Sequence, residues 1–138
     1  MSVDRTIGRR DKLVYILLAP KPQKYLRGRS RIMYVGTTEK GVSRIASSVA
    51  TRSEAIFRKW GIKKIEVQIV WCTPLQKVKS WRLLERAILS DFLSIYGELP
   101  ECNSQGKSYQ WDLRVSRYFR RTAITKLLSQ FAKMEGKT

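Results

Sequence analysis

Six consecutive strand-forming apolar residues, Leu13-Val14-Tyr15-Ile16-Leu17-Leu18, constrain the fold of this chain more than any other feature. A strand with one wet face alternates apolar and polar side chains. An unbroken apolar run belongs in the middle of a sheet, covered on both faces. Pro20 and Pro22 lack the N–H that a ladder needs and are read as its end. Lys21 to Arg31 is then a connection longer than a tight hairpin requires, with Lys21, Lys24, Arg27, Arg29 and Arg31 around Gly28. It reads equally well as a solvated basic loop or as a loop that touches DNA. Ile32 to Val35 returns as a second strand, antiparallel to the first, and Gly36 ends it.

Thr37 and Thr38 can cap a helix that starts near Glu39 or Lys40, in which Val42, Ile45, Ala46 and Val49 recur at close to the helical period. Arg44 lies beside that stripe. Ser53 to Trp60 is a further helical piece, closed by Gly61. Ile65, Val67, Ile69 and Trp71 then alternate with Lys64, Glu66 and Gln68, the mark of a strand with one buried face. Thr73-Pro74-Leu75-Gln76 opens a helix with a capping threonine and a proline at the first helical position. That helix runs to Tyr96 and stops at Gly97 and Pro100. Glu85 sits on the edge of its apolar stripe (Trp81, Leu84, Ile88, Phe92), where a carboxylate needs a cation, a metal or strong hydrogen bonds. An ion pair and a metal site are both open to it. From Asp112 to Met134 one amphipathic helix is predicted, with Val115, Phe119, Ile124, Leu127, Leu128 and Phe131 inward. Arg114, Arg117, Arg120, Arg121, Lys126 and Lys133 occupy the rest. The expected fold class is α+β, with a basic arm over 1–11, a core over 12–107 and a C-terminal basic helix over 108–138.

Charge narrows the partners. Among 138 residues, 28 Lys+Arg face 11 Asp+Glu, a formal net charge of +17, and such an excess suits a polyanion, nucleic acid before membrane. No run of apolar residues is long enough to span a bilayer and no signal-peptide pattern opens the chain, so an intracellular, cytoplasmic protein is expected. With no histidine, a Ser-His-Asp triad, a Cys-His pair and a histidine acid or base are excluded. Cys72 and Cys102 have no neighbouring cysteine, so no zinc site can be assembled from known spacings and both are read as reduced thiols.

Tyr15, Tyr34, Arg44, Glu85 and Asn103 remain as residues suited to phosphoryl chemistry, each on a different element. Phosphodiester hydrolysis needs a base for water, positive charge for the transition state and, as a rule, a divalent ion held by carboxylate. A tyrosine acidified by nearby cations can serve as the base, Arg44 as the charge and Glu85 as the metal anchor. One carboxylate suits Mg²⁺, which keeps several waters and takes phosphate oxygens.

The order and spacing of these residues resemble the GIY-YIG nucleases. Leu13-Val14-Tyr15 stands at the first tripeptide of that family and Tyr34-Val35-Gly36 at the second. Arg44 follows Tyr34 by ten residues, Glu85 opens Glu85-Arg86-Ala87-Ile88-Leu89, and Tyr96 to Asn103 ends the likeness, which spans roughly residues 12 to 107. Four departures stand out. Leu13 replaces a glycine, and the connection between the tyrosines is long. Around Arg44, Ser48 replaces the family's His or Tyr one turn on, and Thr37 replaces a lysine that Lys40 would have to stand in for.

The resemblance implies a small three-stranded antiparallel sheet flanked by helices, and an endonuclease dependent on Mg²⁺ or Mn²⁺ that acts by direct attack of water. It implies Glu85 as the metal ligand, Arg44 as the phosphate clamp, Tyr34 before Tyr15 as the general base, and Asn103 as the residue that orders the site. Double-stranded or branched DNA is the expected partner, with a homodimer or a protein partner possible. Lys24, Arg27, Arg29, Arg31, Lys40, Arg117, Arg120 and Arg121 are the candidate nucleic-acid contacts. The alternative is a catalytically inactive protein of the same fold that binds DNA or RNA.

Overall fold

A computed structural model of the chain describes residues 13–39, 42–61, 64–70, 80–103 and 111–132. Two long strands, β1 (Leu13–Tyr25) and β2 (Gly28–Thr38), form an antiparallel hairpin. The helix α1 (Val42–Trp60) follows, then β3 (Glu66–Val70) and α2 (Ser80–Tyr96). The sheet order is β2-β1-β3, and β3 pairs antiparallel with Val14–Leu18 of β1. The fold is therefore α+β with a three-stranded antiparallel sheet, and the unbroken apolar run is its central strand. Both of its faces are covered. Val14, Ile16 and Leu18 point into a core with Ala87, Ile88 and Phe92 of α2, whereas Leu13, Tyr15 and Leu17 pack with Ile45 on the side of α1.

The prolines do not end β1. Pairing passes from Leu18–Ile32 to Gln23–Ser30, so β1 advances five residues (18 to 23) while β2 advances two (32 to 30). Ala19 to Pro22 therefore bulges out of the ladder, where a missing N–H costs nothing. Arg31 lies opposite the bulge and is buried. Its Nε donates to the Ala19 carbonyl at 2.9 Å, and its other arm meets Glu66 of β3 at 2.6 Å. Arg31 is thus removed from the DNA-contact set: its guanidinium satisfies a carbonyl that the bulge leaves without a strand partner.

The expected long basic loop is likewise a strand hairpin closed by Leu26 and Arg27, and its tip is docked. Arg27 N donates to Tyr96 O at 2.9 Å and the Arg27 guanidinium to Ser94 O at 2.8 Å, which places a cation on the carbonyl end of α2. Leu26 N donates to a Glu98 carboxylate oxygen at 2.6 Å. Gly97 ends α2 with φ +81°, and its N–H returns to Leu93 O at 2.9 Å.

Three further boundaries differ from expectation. β2 continues through Gly36 to Thr38, α1 is one continuous helix, and the C-terminal segment is two helices, α3 (Leu113–Tyr118) and α4 (Arg121–Ser129), with a 3-10 turn at Gln130–Ala132. Phe119 and Arg120 are extended between them. Each piece has its own anchor on α2. Arg86 holds Asp112, the N-cap of α3, at 2.9 Å, and the buried Asp91 accepts from Thr125 at 2.7 Å and Arg121 at 3.3 Å. Val115, Ile124, Leu128 and Phe131 join the same core as β1 and α2. The start expected for α2 at Thr73, along with Trp71 and Cys72, lies outside the described residues. Cys102 is half-buried. Among the described residues no helix is long and apolar enough to cross a membrane.

Candidate active site

Strand register decides which side chains meet. Tyr15 lies opposite Gly36 and Leu17 opposite Tyr34, so the two tyrosines are diagonal neighbours on the α1 side of the sheet. Their ring centroids are 5.9 Å apart at 47°. Gly36 leaves the space they use. A Cβ there would stand 2.5 Å from Cε2 of Tyr34 and 2.9 Å from both Cζ and Oη of Tyr15. The glycine is not a strand terminator, and its missing side chain admits two phenols.

Tyr15 is 3% exposed, while Tyr34 is half-buried and is the phenol within reach of water. The Tyr34 phenol is pushed up to about 12, first by burial and then by the proximity of Tyr15, a hydrogen bond to Tyr15 and the charge of Glu85; Arg52 pulls the other way. Among the described residues, burial and Tyr15 outweigh the neighbouring Arg52, so their combined effect raises the phenol rather than acidifying it. The sheet and the second phenol withdraw more solvation than the neighbouring cation returns.

Glu85, in the second turn of α2, is half-buried, and its carboxylate acts electrostatically on Tyr34. Asn103 is buried beside β2, where its Oδ1 accepts from Val35 N at 3.0 Å and its Nδ2 donates to Val35 O at 2.9 Å. The same turn adds Cys102 N to Met33 O at 2.9 Å, so residues 102 and 103 extend the hydrogen bonding of β2 on its outer edge. Arg44 is the third residue of α1; its side chain, like the whole of Lys40, lies outside the described residues. Tyr15, Tyr34 and Glu85 are therefore brought together, with Asn103 fixing the strand between Tyr34 and Gly36.

Sequence reasoning missed Arg52. Its guanidinium carbon lies 3.8 Å above the centroid of the Tyr34 ring. Dividing α1 between Val49 and Ser53 had left this residue in a supposed connection. The signal was present, since Arg52 follows Arg44 by eight residues, a little over two turns of one continuous helix.

The remaining basic candidates separate by surroundings. Lys24, Arg29, Arg117 and Arg120 are exposed, Arg27 caps α2, and Arg121 is half-exposed but paired with Asp91. On α4 an open groove of about 550 Å³ is lined by Arg121, Thr122, Thr125, Lys126 and Ser129. Among the described residues no group of three His, Cys, Asp or Glu is placed to hold a metal ion. The donor set that is present, one half-buried carboxylate, fits a hydrated Mg²⁺ or Mn²⁺ that takes its other ligands from water and phosphate. No family model, curated protein or solved structure matches this chain.

Proposed function

We propose that the chain is a divalent-metal-dependent DNA endonuclease of the GIY-YIG kind. One observation carries this reading: Tyr34 and Tyr15 meet at a glycine whose missing Cβ makes room for both phenols, and the Glu85 carboxylate of α2 is near enough to act electrostatically on Tyr34. A packed sheet gains nothing from a glycine at a mid-strand position, which loses contact area and strand propensity. A site that must admit two phenols needs it.

In this reading Glu85 would hold the cation, which supplies Lewis-acid polarisation of the phosphodiester and an acidified water. Tyr34 keeps its proton at neutral pH and would orient the attacking water by hydrogen bonding, with the water's proton passing to bulk solvent or to a phosphate oxygen, while Tyr15 holds the phenol in place. Arg44 clamps the scissile phosphate, as the resemblance implies, and Asn103 fixes the strand that carries Tyr34 and Gly36. The exposed Lys24, Arg29, Arg117 and Arg120 supply contacts to the DNA backbone.

A second reading, an inactive nucleic-acid-binding protein, rests on the exposed Lys24, Arg29, Arg117 and Arg120, which would hold a polyanion without any chemistry. Cleavage of labelled duplex, branched and single-stranded DNA with Mg²⁺, Mn²⁺ or chelator separates the two. Metal-dependent cutting that falls by at least about 10²-fold in Glu85→Ala, with DNA binding retained, is the expected result. Tight, salt-sensitive binding without cutting of any substrate would establish the inactive protein instead.

A further inference from the structure

Arg52 has a setting unlike that of three neighbouring arginines. Arg31 is fixed to Ala19 and Glu66, Arg27 to Ser94 and Arg58 to Glu54, each through carboxylate or carbonyl oxygens. Among the described residues no ion pair joins Arg52 to a carboxylate. It is half-buried, and its guanidinium carbon lies 3.8 Å from the centroid of the Tyr34 ring, over its face. A guanidinium resting on an aromatic face keeps its in-plane N–H donors directed outward, and those donors match phosphate oxygens two at a time.

We propose that Arg52 is a second phosphate-binding cation of this site, seated on the Tyr34 ring and holding the phosphate next to the scissile one. The proposal rests on the nuclease reading for which phosphate is scissile, but not for the contact itself. A nucleic-acid strand carries one charge every ~3.4 Å of its axis, so a strand held at one phosphate presents its neighbours to any further cation along α1. Arg44 and Arg52 are separated by eight residues of helix, on the order of 12 Å along its axis, a separation that long side chains can close onto adjacent phosphates. Tyr34 then has two functions: its hydroxyl faces the reaction and its ring is the shelf on which the second cation is held. The substrate class that follows is a polynucleotide with phosphates on both sides of the cut, in preference to a terminal phosphodiester.

The deciding experiment is the salt dependence of DNA binding, measured with chelator so that no cutting intervenes, for wild type, Arg52→Gln and Arg52→Lys on one labelled duplex. Arg52→Gln is expected to lower the magnitude of the log–log slope by about one and weaken binding by roughly an order of magnitude at ~0.1 M salt. Arg52→Lys, which keeps the charge, is expected to restore the slope. An unchanged slope in Arg52→Gln, even with cutting impaired, would overturn the proposal and leave Arg52 as a residue that only positions Tyr34. A lysine variant as shallow as the glutamine one would overturn it as well. Absence of metal-dependent cutting by wild type would remove the nuclease reading and leave the slope comparison decisive for Arg52.

Discussion

Asn103 pairs with Val35 as another strand would, accepting from its N–H at 3.0 Å and donating to its C=O at 2.9 Å. One side-chain amide thereby reproduces both halves of a ladder step at the edge of β2. Asn103→Ala leaves two strand groups of Val35 without their partner and is expected to destabilise the fold by about 2–4 kcal/mol in chemical denaturation. Asn103→Asp keeps the acceptor and turns the donor into a second acceptor facing the Val35 carbonyl. Its defect should shrink as pH falls and the carboxyl regains a proton to donate. A defect in the aspartate variant that does not depend on pH would mean the amide is not acting through these bonds.

Gly36→Ala tests whether the tyrosines, and not the backbone, require the glycine. The added methyl meets aromatic atoms of both phenols at under 3 Å, so one ring must move. The expected loss is about 1–3 kcal/mol, with a change in the near-ultraviolet circular dichroism of tyrosine. Tyr34→Ala should relieve much of it, and a double-mutant cycle reads the coupling. Strictly additive losses would show that the two positions do not compete for space.

Alkaline pH should weaken the fold over a defined window. Below pH 10 the Tyr34 phenol is protonated in both folded and unfolded chains, and its contribution is fully present. The folded value is about 12 against an ordinary 10.0, so that contribution is lost as pH rises from 10 through 12. Burial raises Tyr25 and Tyr96 in the same direction. Thermal melts at increasing pH, followed with tyrosinate absorbance, should show late-titrating phenols and a falling midpoint. Tyr34→Phe should flatten that fall by at most about 2 kcal/mol, since the ring is partly exposed. An unchanged fall in the phenylalanine variant would place the effect on Tyr25 and Tyr96 alone.

The sheet was legible because burial leaves a direct trace in sequence. An uninterrupted apolar run marked β1 as central, and alternation after Ile65 marked β3. Registry was not legible. Pro20 and Pro22 read as stops because a sequence does not say that the opposing strand will advance by only two residues there. Gly36 read as a terminator because its reason lies in two rings that approach from other positions. The division between α3 and α4 has neither proline nor glycine at it, and the apolar period runs across it unbroken; its anchors, Arg86 and Asp91, are on another helix. Tyr15, Tyr34, Glu85 and Asn103 were singled out by residue type and spacing, and the structure places the two tyrosines against each other and Asn103 against Val35. Arg52 was not, because its significance depends on α1 being continuous and on which ring lies beneath it.

The turn at residues 101–103 has a consequence for how molecules of this chain meet one another. A three-stranded sheet has two open margins, and either can recruit a strand from a neighbour. The margin on β2 is occupied by Cys102 and Asn103, which take the Met33 and Val35 groups that an intruding strand would need. The margin on β3 is five residues long and begins with Glu66, whose charge is already engaged by Arg31. Self-association by sheet extension therefore meets a sealed side and a short one, and loss of the Asn103 amide would open the longer of the two.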